Sequence, residues 1–396
     1  MAYGPERITN RPPAGPTTTA PVIFLSVGEP SGDLHGASLA RALRARIPGV
    51  RLIGLGGPLM AAEGVDLMAG LDDLAVMGFV EVLGRLPYFL RLRRRVFSAL
   101  VTEGVDLVIP IDYPGFNLRL AHRARSEGRQ VLYYIAPQVW AWHASRAPKL
   151  ARDTNRIAVI LPFEERFLRE HGAQAEFVGH PLLDVPGLAT SRETWCAQLG
   201  LNAERPVLAV MPGSRRQEVS RHLEIFSEAA ALVARRRPDV QVVIGAPATL
   251  PDEAYAATVF PVTRDARALL SHATAALVKS GTTTLEAALA GVPFVVAYRM
   301  NPLSFQLARR VVRVPHIALA NLVADRRIVP EYVQDEATPA ALADGLLPLL
   351  DTGSAERAKM LDGLREVRAA LGDGGAAGRV ADIAASLLDL ERPGRG

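Results

Sequence analysis

Short apolar runs alternate with stretches of helical period along almost the whole chain. VIFLSV from Val22, VRLIGLGG from Val50, VDLVIPID from Val105, QVLYYIA from Gln130 and NRIAVILP from Asn155 are brief, rich in branched residues and bounded by turn formers. Runs of this kind predict strands buried on both faces, the signature of a parallel sheet. Between them, segments such as SLARALRARI and RLAHRARSEG carry the helical period. After FVGHPLLD and a link containing Pro and Gly near residues 185–205, the pattern restarts with PVLAVMPGS, QVVIGAP, AALVKSG and PFVVAYR. The expectation is two doubly wound α/β halves, Rossmann-like, facing each other across a cleft. Near the end, GRVADIAASLLDL places Val380, Ile383, Ala384, Leu387 and Leu388 on one helical face, to be buried against the first half or against a partner subunit.

Composition changes this picture little. With 396 residues, 49% of them hydrophobic and 22% charged, the chain can bury two cores. The first 20 residues are rich in Pro, Thr and Gly and lack the apolar run of a secretory signal, so they read as a disordered tail. Elsewhere no apolar run approaches the roughly 20 residues needed to cross a bilayer. The single Cys196 excludes an internal disulfide and a cysteine-based zinc cluster, consistent with a cytoplasmic protein. A net charge of +4 favours anionic partners only mildly, and the basic residues lack the interleaved aromatics of an RNA-binding surface, so nucleic acid is not expected.

Four stretches carry chemistry. AALVKSGTTTLEAALAG runs from a strand through Ser280, Gly281 and Thr282 into a helix, with Glu286 on its first turn. Free N–H groups and hydroxyls at such a point suit a diphosphate, and Glu286 suits ribose hydroxyls, although plain N-capping by threonine would give the same pattern. LAVMPGSRRQEV repeats the arrangement with Gly213, Ser214, Arg215 and Arg216, and neither site has the GxxxxGK[ST] form of a nucleotide triphosphatase. LVIPIDYPGFNLRLA sets Asp112 at the C-terminal end of a strand, where open α/β sheets hold ligands and where an acid can take a proton from a hydroxyl; turn formation is the competing role. The segment VMGFVEVLGRLPYFLRLRRRVFSAL mixes Met77, Phe79, Leu83 and Phe89 with Arg91, Arg93, Arg94 and Arg95, the pattern of an interfacial helix or of an arginine-studded surface helix. The opening turn SVGEPSGDLHG has glycines four apart with Glu29 and Asp33 between them, which disfavours a pyrophosphate there.

Taken in order, GEPSGDLHGASL, GLGGPLMAAEG, LAVMGFVEVLGRLP, IDYPGFNLRLA, YYIAPQVWAW, FVGHPLLD, MPGSRRQEV, KSGTTTLEAAL, VVAYRM and VPHIALANLVADRRIVPEYVQDE resemble the lipid A disaccharide synthase family, inverting glycosyltransferases of the GT-B fold. The blocks span roughly residues 22–335. The resemblance implies transfer of 2,3-diacylglucosamine from UDP-2,3-diacylglucosamine to 2,3-diacylglucosamine 1-phosphate (lipid X), giving a β-1,6-linked disaccharide and UDP without a cofactor or metal. It implies work as a peripheral protein at the cytoplasmic face of the inner membrane, on an anionic surface, with a homodimer as a further possibility. Residues 21–187 become the acceptor and membrane half, 204–365 the UDP-sugar half, and 366–396 the returning helical segment. By the same resemblance Asp112 is the favoured general base; Asp33, in the opening turn, is a secondary candidate for acid–base or positioning work. Arg215, with Ser214 and Gly213, meets the diphosphate; Ser280, Gly281, Thr282, Glu286, Asn321 and Gln334 complete the nucleotide site; and Glu29, Ser31, Met77, Phe79, Leu83, Phe89, Arg91 and Arg94 meet acceptor, acyl chains or membrane. Gly115 stands where the family often has a second acid, and Lys279 is unusual before Ser-Gly-Thr. The other readings are a different GT-B sugar enzyme, such as a UDP-N-acetylglucosamine 2-epimerase, and a non-catalytic lipid-binding protein.

Overall fold

A computed structural model describes residues 20–71, 79–142, 144–185, 190–247, 249–302, 305–306 and 314–389, with only the backbone described for 79–86 and 142. Two wholly parallel sheets form its frame. The first contains β1 (Val22–Ser26), β2 (Arg51–Leu55), β3 (Asp66–Ala69), β4 (Leu107–Pro110), β5 (Gln130–Tyr134), β6 (Arg156–Val159) and β7 (Ala175–Phe177) in the order β3-β2-β1-β4-β5-β6-β7. The second contains β8 (Val207–Met211), β9 (Gln241–Gly245), β10 (Val262–Thr263), β11 (Ala275–Lys279), β12 (Phe294–Tyr298) and β13 (Glu331–Val333) in the order β10-β9-β8-β11-β12-β13. Both orders reverse once, between β1 and β4 and between β8 and β11, and a ligand crevice opens outside the strand ends at such a reversal.

The apolar runs are continuous because both sheet faces are covered. Along β1, Ile23 and Leu25 enter one core, shared with Leu39 and Leu43 of the helix Pro30–Arg46, while Phe24 enters another with Val96 and Leu100 of the helix Phe79–Thr102. The second sheet has one larger core that includes Val210, Phe226, Leu277 and Val296.

The helix Ala376–Leu387 returns to the first half. Its Val380, Ala381 and Ala384 are fully buried in the core containing Leu39 and Leu43, and Arg46 Nε meets Asp382 Oδ1 at 2.7 Å. The apolar face read from the sequence is thus occupied within the chain. Among the described residues, no helix is long and apolar enough to cross a membrane.

Candidate active site

On the first half the site begins where β1 and β4 diverge. Asp112 and Tyr113 both take left-handed backbone, with φ of 47° and 49°, a costly pair of conformations for residues with side chains. Their surroundings hold them there. Asn117 is fully buried and donates from Nδ2 to the carbonyls of Asp112 (2.8 Å) and Ser26 (3.0 Å), while the Tyr133 hydroxyl donates to the same Asp112 carbonyl at 2.9 Å. The Ser26 hydroxyl closes the circuit by donating to Asn117 Oδ1 at 2.6 Å. Gly28 belongs to this construction, because a Cβ there would lie 2.5 Å from the Tyr113 ring.

The Asp112 side chain is exposed into the cleft that it lines. Enclosure by protein and the nearby Glu29 charge push it up to about 6, against the Tyr113 backbone N–H and the Arg215 guanidinium, which pull it down. Such a carboxylate is ionised at neutral pH and more basic than a free aspartate, as a general base requires.

On the second half the corresponding divergence, between β8 and β11, supplies two loops. Arg215 begins the 21-residue helix Arg216–Arg236 and is largely exposed. Its Nη2 lies 3.6 Å from Glu29 Oε1, so the only ion pair between the two loop sets, among the described residues, joins Arg215 to the first half. The N–H groups of Ser214 and Arg215 are not free, as the sequence suggested; both donate to Glu218 Oε2, at 3.0 and 3.3 Å. Glu218 Oε1 receives Lys279 Nζ at 2.8 Å. Burial opposes ionisation of Glu218, yet Lys279 and the loop N–H groups hold its carboxyl below the usual range. Gly213, at φ 133°, is required here, since a Cβ would sit 2.5 Å from that of Glu218.

Across from this loop, Ser280, Gly281 and Thr282 lead into the helix Thr283–Leu289. Thr282 makes no side-chain cap, and the Ser280 hydroxyl donates to the Ile317 carbonyl at 2.6 Å. Glu286 lines the cleft and burial raises its carboxyl. Together these groups and Asp112 line one cavity of about 930 Å³ between the halves.

Three expected site residues are engaged elsewhere. Asp33 is buried, and its carboxylate accepts from the N–H groups of Gly57 (2.8 Å), Leu59 (3.0 Å) and Met60 (3.1 Å), so it positions the turn after β2. Asn321 is also fully buried: its Oδ1 accepts from Ile328 and Val329, and its Nδ2 donates to the Val329 carbonyl and Glu331. Gln334 clasps the Met300 backbone through both amide atoms, at 2.7 and 3.1 Å. The last two tie the ends of β12 and β13 to the neighbouring loops.

Conversely, several cleft residues went unnoticed in the sequence. Glu164 is buried, accepts from Trp140 Nε1 at 2.9 Å and from the Leu161 N–H at 3.2 Å, and is pushed up to about 7 by burial. His35 and His180 line the same cavity, each lowered to about 4 by burial. The tryptophan-rich block and the histidine of FVGHPLLD were visible signals for Glu164 and His180, but nothing in the order of residues brings them to one wall.

Glu29 and Ser31 line the cleft. Met77 lies outside the described residues. Phe79 and Leu83 lie on the helix Phe79–Thr102, in the part whose side chains are not described. Phe89 packs at the edge of the core that holds Phe24, Val96 and Leu100, while Arg91, Arg94 and Arg95 are exposed.

Residues 23–376 match the protein family described as lipid-A-disaccharide synthetase. The lipid-A-disaccharide synthase of Acidobacterium capsulatum is 42% identical over 94% of this chain and 97% of its own length. That of Pseudomonas savastanoi pv. phaseolicola is 43% identical over 85% of this chain and 90% of its own length. Among solved structures, a putative UDP-N-acetylglucosamine 2-epimerase from Listeria monocytogenes aligns with a TM-score of 0.64 at 14% identity, over 94% of this chain and 98% of that one. The calicheamicin glycosyltransferase CalG4 aligns at 0.58 and 19%, over 94% and 99%. At such identities the structural likeness establishes the GT-B fold alone.

Proposed function

The chain belongs to the lipid-A-disaccharide synthase family and is therefore a glycosyltransferase, and from that premise we propose how its cleft performs the transfer. The donor is UDP-2,3-diacylglucosamine and the acceptor 2,3-diacylglucosamine 1-phosphate. Asp112 takes the proton from the acceptor 6-hydroxyl as that oxygen attacks the anomeric carbon. The bond from that carbon to the UDP oxygen breaks on the opposite face, giving the β-1,6 linkage with inversion. Arg215, freed from Glu29, receives the negative charge growing on the departing diphosphate, which is the group an arginine fork suits best. The N–H groups and hydroxyls at Gly281, Thr282 and Thr283 hold the phosphates, and Glu286 holds the ribose. No metal enters this scheme.

One observation carries the reading: a carboxylate tuned to about 6 on one half faces an arginine and a Gly-Thr turn on the other, each at the strand reversal of its own sheet. Both substrates carry acyl chains, so the reaction belongs at the cytoplasmic face of the membrane, with the basic helix Phe79–Thr102 toward the lipid. Mixing purified protein with both substrates in neutral detergent is the direct test. UDP and disaccharide 1-phosphate should appear in equal amounts; no product from well-folded protein would overturn the proposal.

A further inference from the structure

Against the helix Pro114–Ser126 lies a second depression of about 220 Å³, whose lining does not include Asp112. Arg93 comes from the helix Phe79–Thr102, Arg119, His122 and Arg123 from Pro114–Ser126, and Lys149 from Ala147–Arg152. Three helices thus bring four permanent cations to one groove. Only part of that charge is compensated. Arg123 pairs with Glu127, and its guanidinium lies 5.9 Å from the centre of the Phe97 ring; His122 Nδ1 meets Asp153, which Arg152 also contacts. Arg93, Arg119 and Lys149 have no carboxylate partner among the described residues, and Arg119 bonds only the Gly115 carbonyl, at 3.0 Å.

The rest of the lining is apolar, namely Phe97 and Leu118. Leu118 also lines the main cleft, so the groove and the cleft share a wall. On the same long helix Arg91, Arg94 and Arg95 are exposed beside Arg93. A surface that only needed solubility would scatter these charges or pair them with acids; here unpaired cations surround two apolar side chains, a match for an anionic headgroup with a hydrocarbon chain attached.

We propose that this groove is a binding site for the phosphate of a phosphorylated lipid, seated on Arg93, Arg119 and Lys149 with its first methylenes against Phe97 and Leu118. The occupant is an anionic membrane phospholipid, held beside the cleft so that the cleft mouth faces the bilayer. The site is separate from the reacting centre, and its binding test does not depend on the proposed acceptor.

The probe is dihexanoyl phosphatidic acid below its micellar concentration, titrated into the full chain by calorimetry, with dihexanoyl phosphatidylcholine as the neutral-headgroup control. Saturable binding at one site, lost in Arg93→Gln/Lys149→Gln and much weaker for phosphatidylcholine, is expected; the absence of saturable binding overturns the proposal. In sedimentation with phosphatidylglycerol vesicles, each cation removed costs about fivefold in affinity, so this double variant should bind about 25-fold more weakly at low salt. Arg91→Gln/Arg95→Gln removes the same charge outside the groove. Because Arg91 and Arg95 lie exposed on the same lipid-facing helix, that variant too should lose vesicle affinity, but it should leave the phosphatidic acid titration unchanged; an equal loss in that titration means diffuse attraction without a site, and overturns the proposal. Turnover in neutral detergent separates the two sources of lipid phosphate: an unchanged acceptor KM in Arg93→Gln/Lys149→Gln supports the membrane phospholipid, whereas a raised KM assigns the groove to the acceptor and overturns the occupant named here.

Discussion

Asp112 is legible in the sequence as an acid after a strand, but its suitability as a base comes from neighbours the sequence does not place beside it. Replacing it with Asn removes the proton acceptor while keeping a similar shape, so kcat should fall about 100-fold or more with UDP affinity nearly unchanged. Near-wild-type turnover would show that another group takes the proton. The pH profile gives a finer test. The base must be ionised, so kcat/KM should rise with pH through about 6 and then level off. Glu29 raises the Asp112 value and Arg215 lowers it. Glu29→Gln should therefore shift the rising limb to lower pH, and Arg215→Ala should shift it to higher pH. Arg215→Ala should also weaken UDP binding about 10- to 100-fold, the range for a hydrogen bond to a charged group. Opposite shifts from two residues 3.6 Å apart are difficult to obtain unless both face Asp112.

At the scale of elements, the Gly-Ser-Arg turn and the Lys279 strand end are joined through Glu218. Two loop N–H bonds, one of them from the N-cap residue Arg215, and the ion pair with half-buried Lys279 depend on one carboxylate. Glu218→Ala should cost about 1–3 kcal/mol of stability in chemical denaturation, combining the lost loop bonds with a lysine left without its partner. It should weaken UDP binding as well, although Glu218 need not touch UDP. Glu218→Gln, which keeps an acceptor for the loop N–H groups, should recover most of the stability and little of the lysine placement. The sequence displayed this acid only as the end of SRRQE, because its partner Lys279 is 61 residues away. The strands divide along a similar line. Every interior strand, β1, β2, β4, β5 and β6 in one sheet and β8, β9, β11 and β12 in the other, stands out as an apolar run. The four edge strands β3, β7, β10 and β13 do not. They have two to four residues and are incompletely buried, as in Glu331–Val333, where all three are half-exposed. A short strand with one neighbour and one uncovered side needs no continuous apolar run, so periodicity cannot reveal it. The backbone partners of Asn321 and Gln334 were hidden for a related reason: they lie on segments that the order of residues does not bring beside them.

The whole molecule turns on how its halves are connected. The chain passes from the first half to the second after β7 and returns before the helix Ala376–Leu387, and the two crossings are clasped together. His180 donates its N–H to the Leu371 carbonyl at 3.0 Å, and Arg379 Nε donates to the Val178 carbonyl at 2.8 Å. Asp184 accepts from the N–H groups of Gly375 and Ala376, capping the returning helix from the outgoing crossing. This clasp and the Glu29–Arg215 contact over the cleft are separate attachments, and the expectation is that the clasp acts as a hinge while the ion pair exchanges for substrate. Asp184→Ala should remove the cap at a cost of about 1–2 kcal/mol. In hydrogen exchange the loss should appear in Ala376–Leu387 and in the helix Pro30–Arg46 beneath it, and spare β8 to β12. With UDP on the second half, as proposed, its binding should be unchanged, while the acceptor KM rises because the first half is no longer held at a fixed angle to it. Equal loosening of both sheets would mean that the molecule unfolds as one unit, and that the returning helix stabilises the whole rather than the hinge.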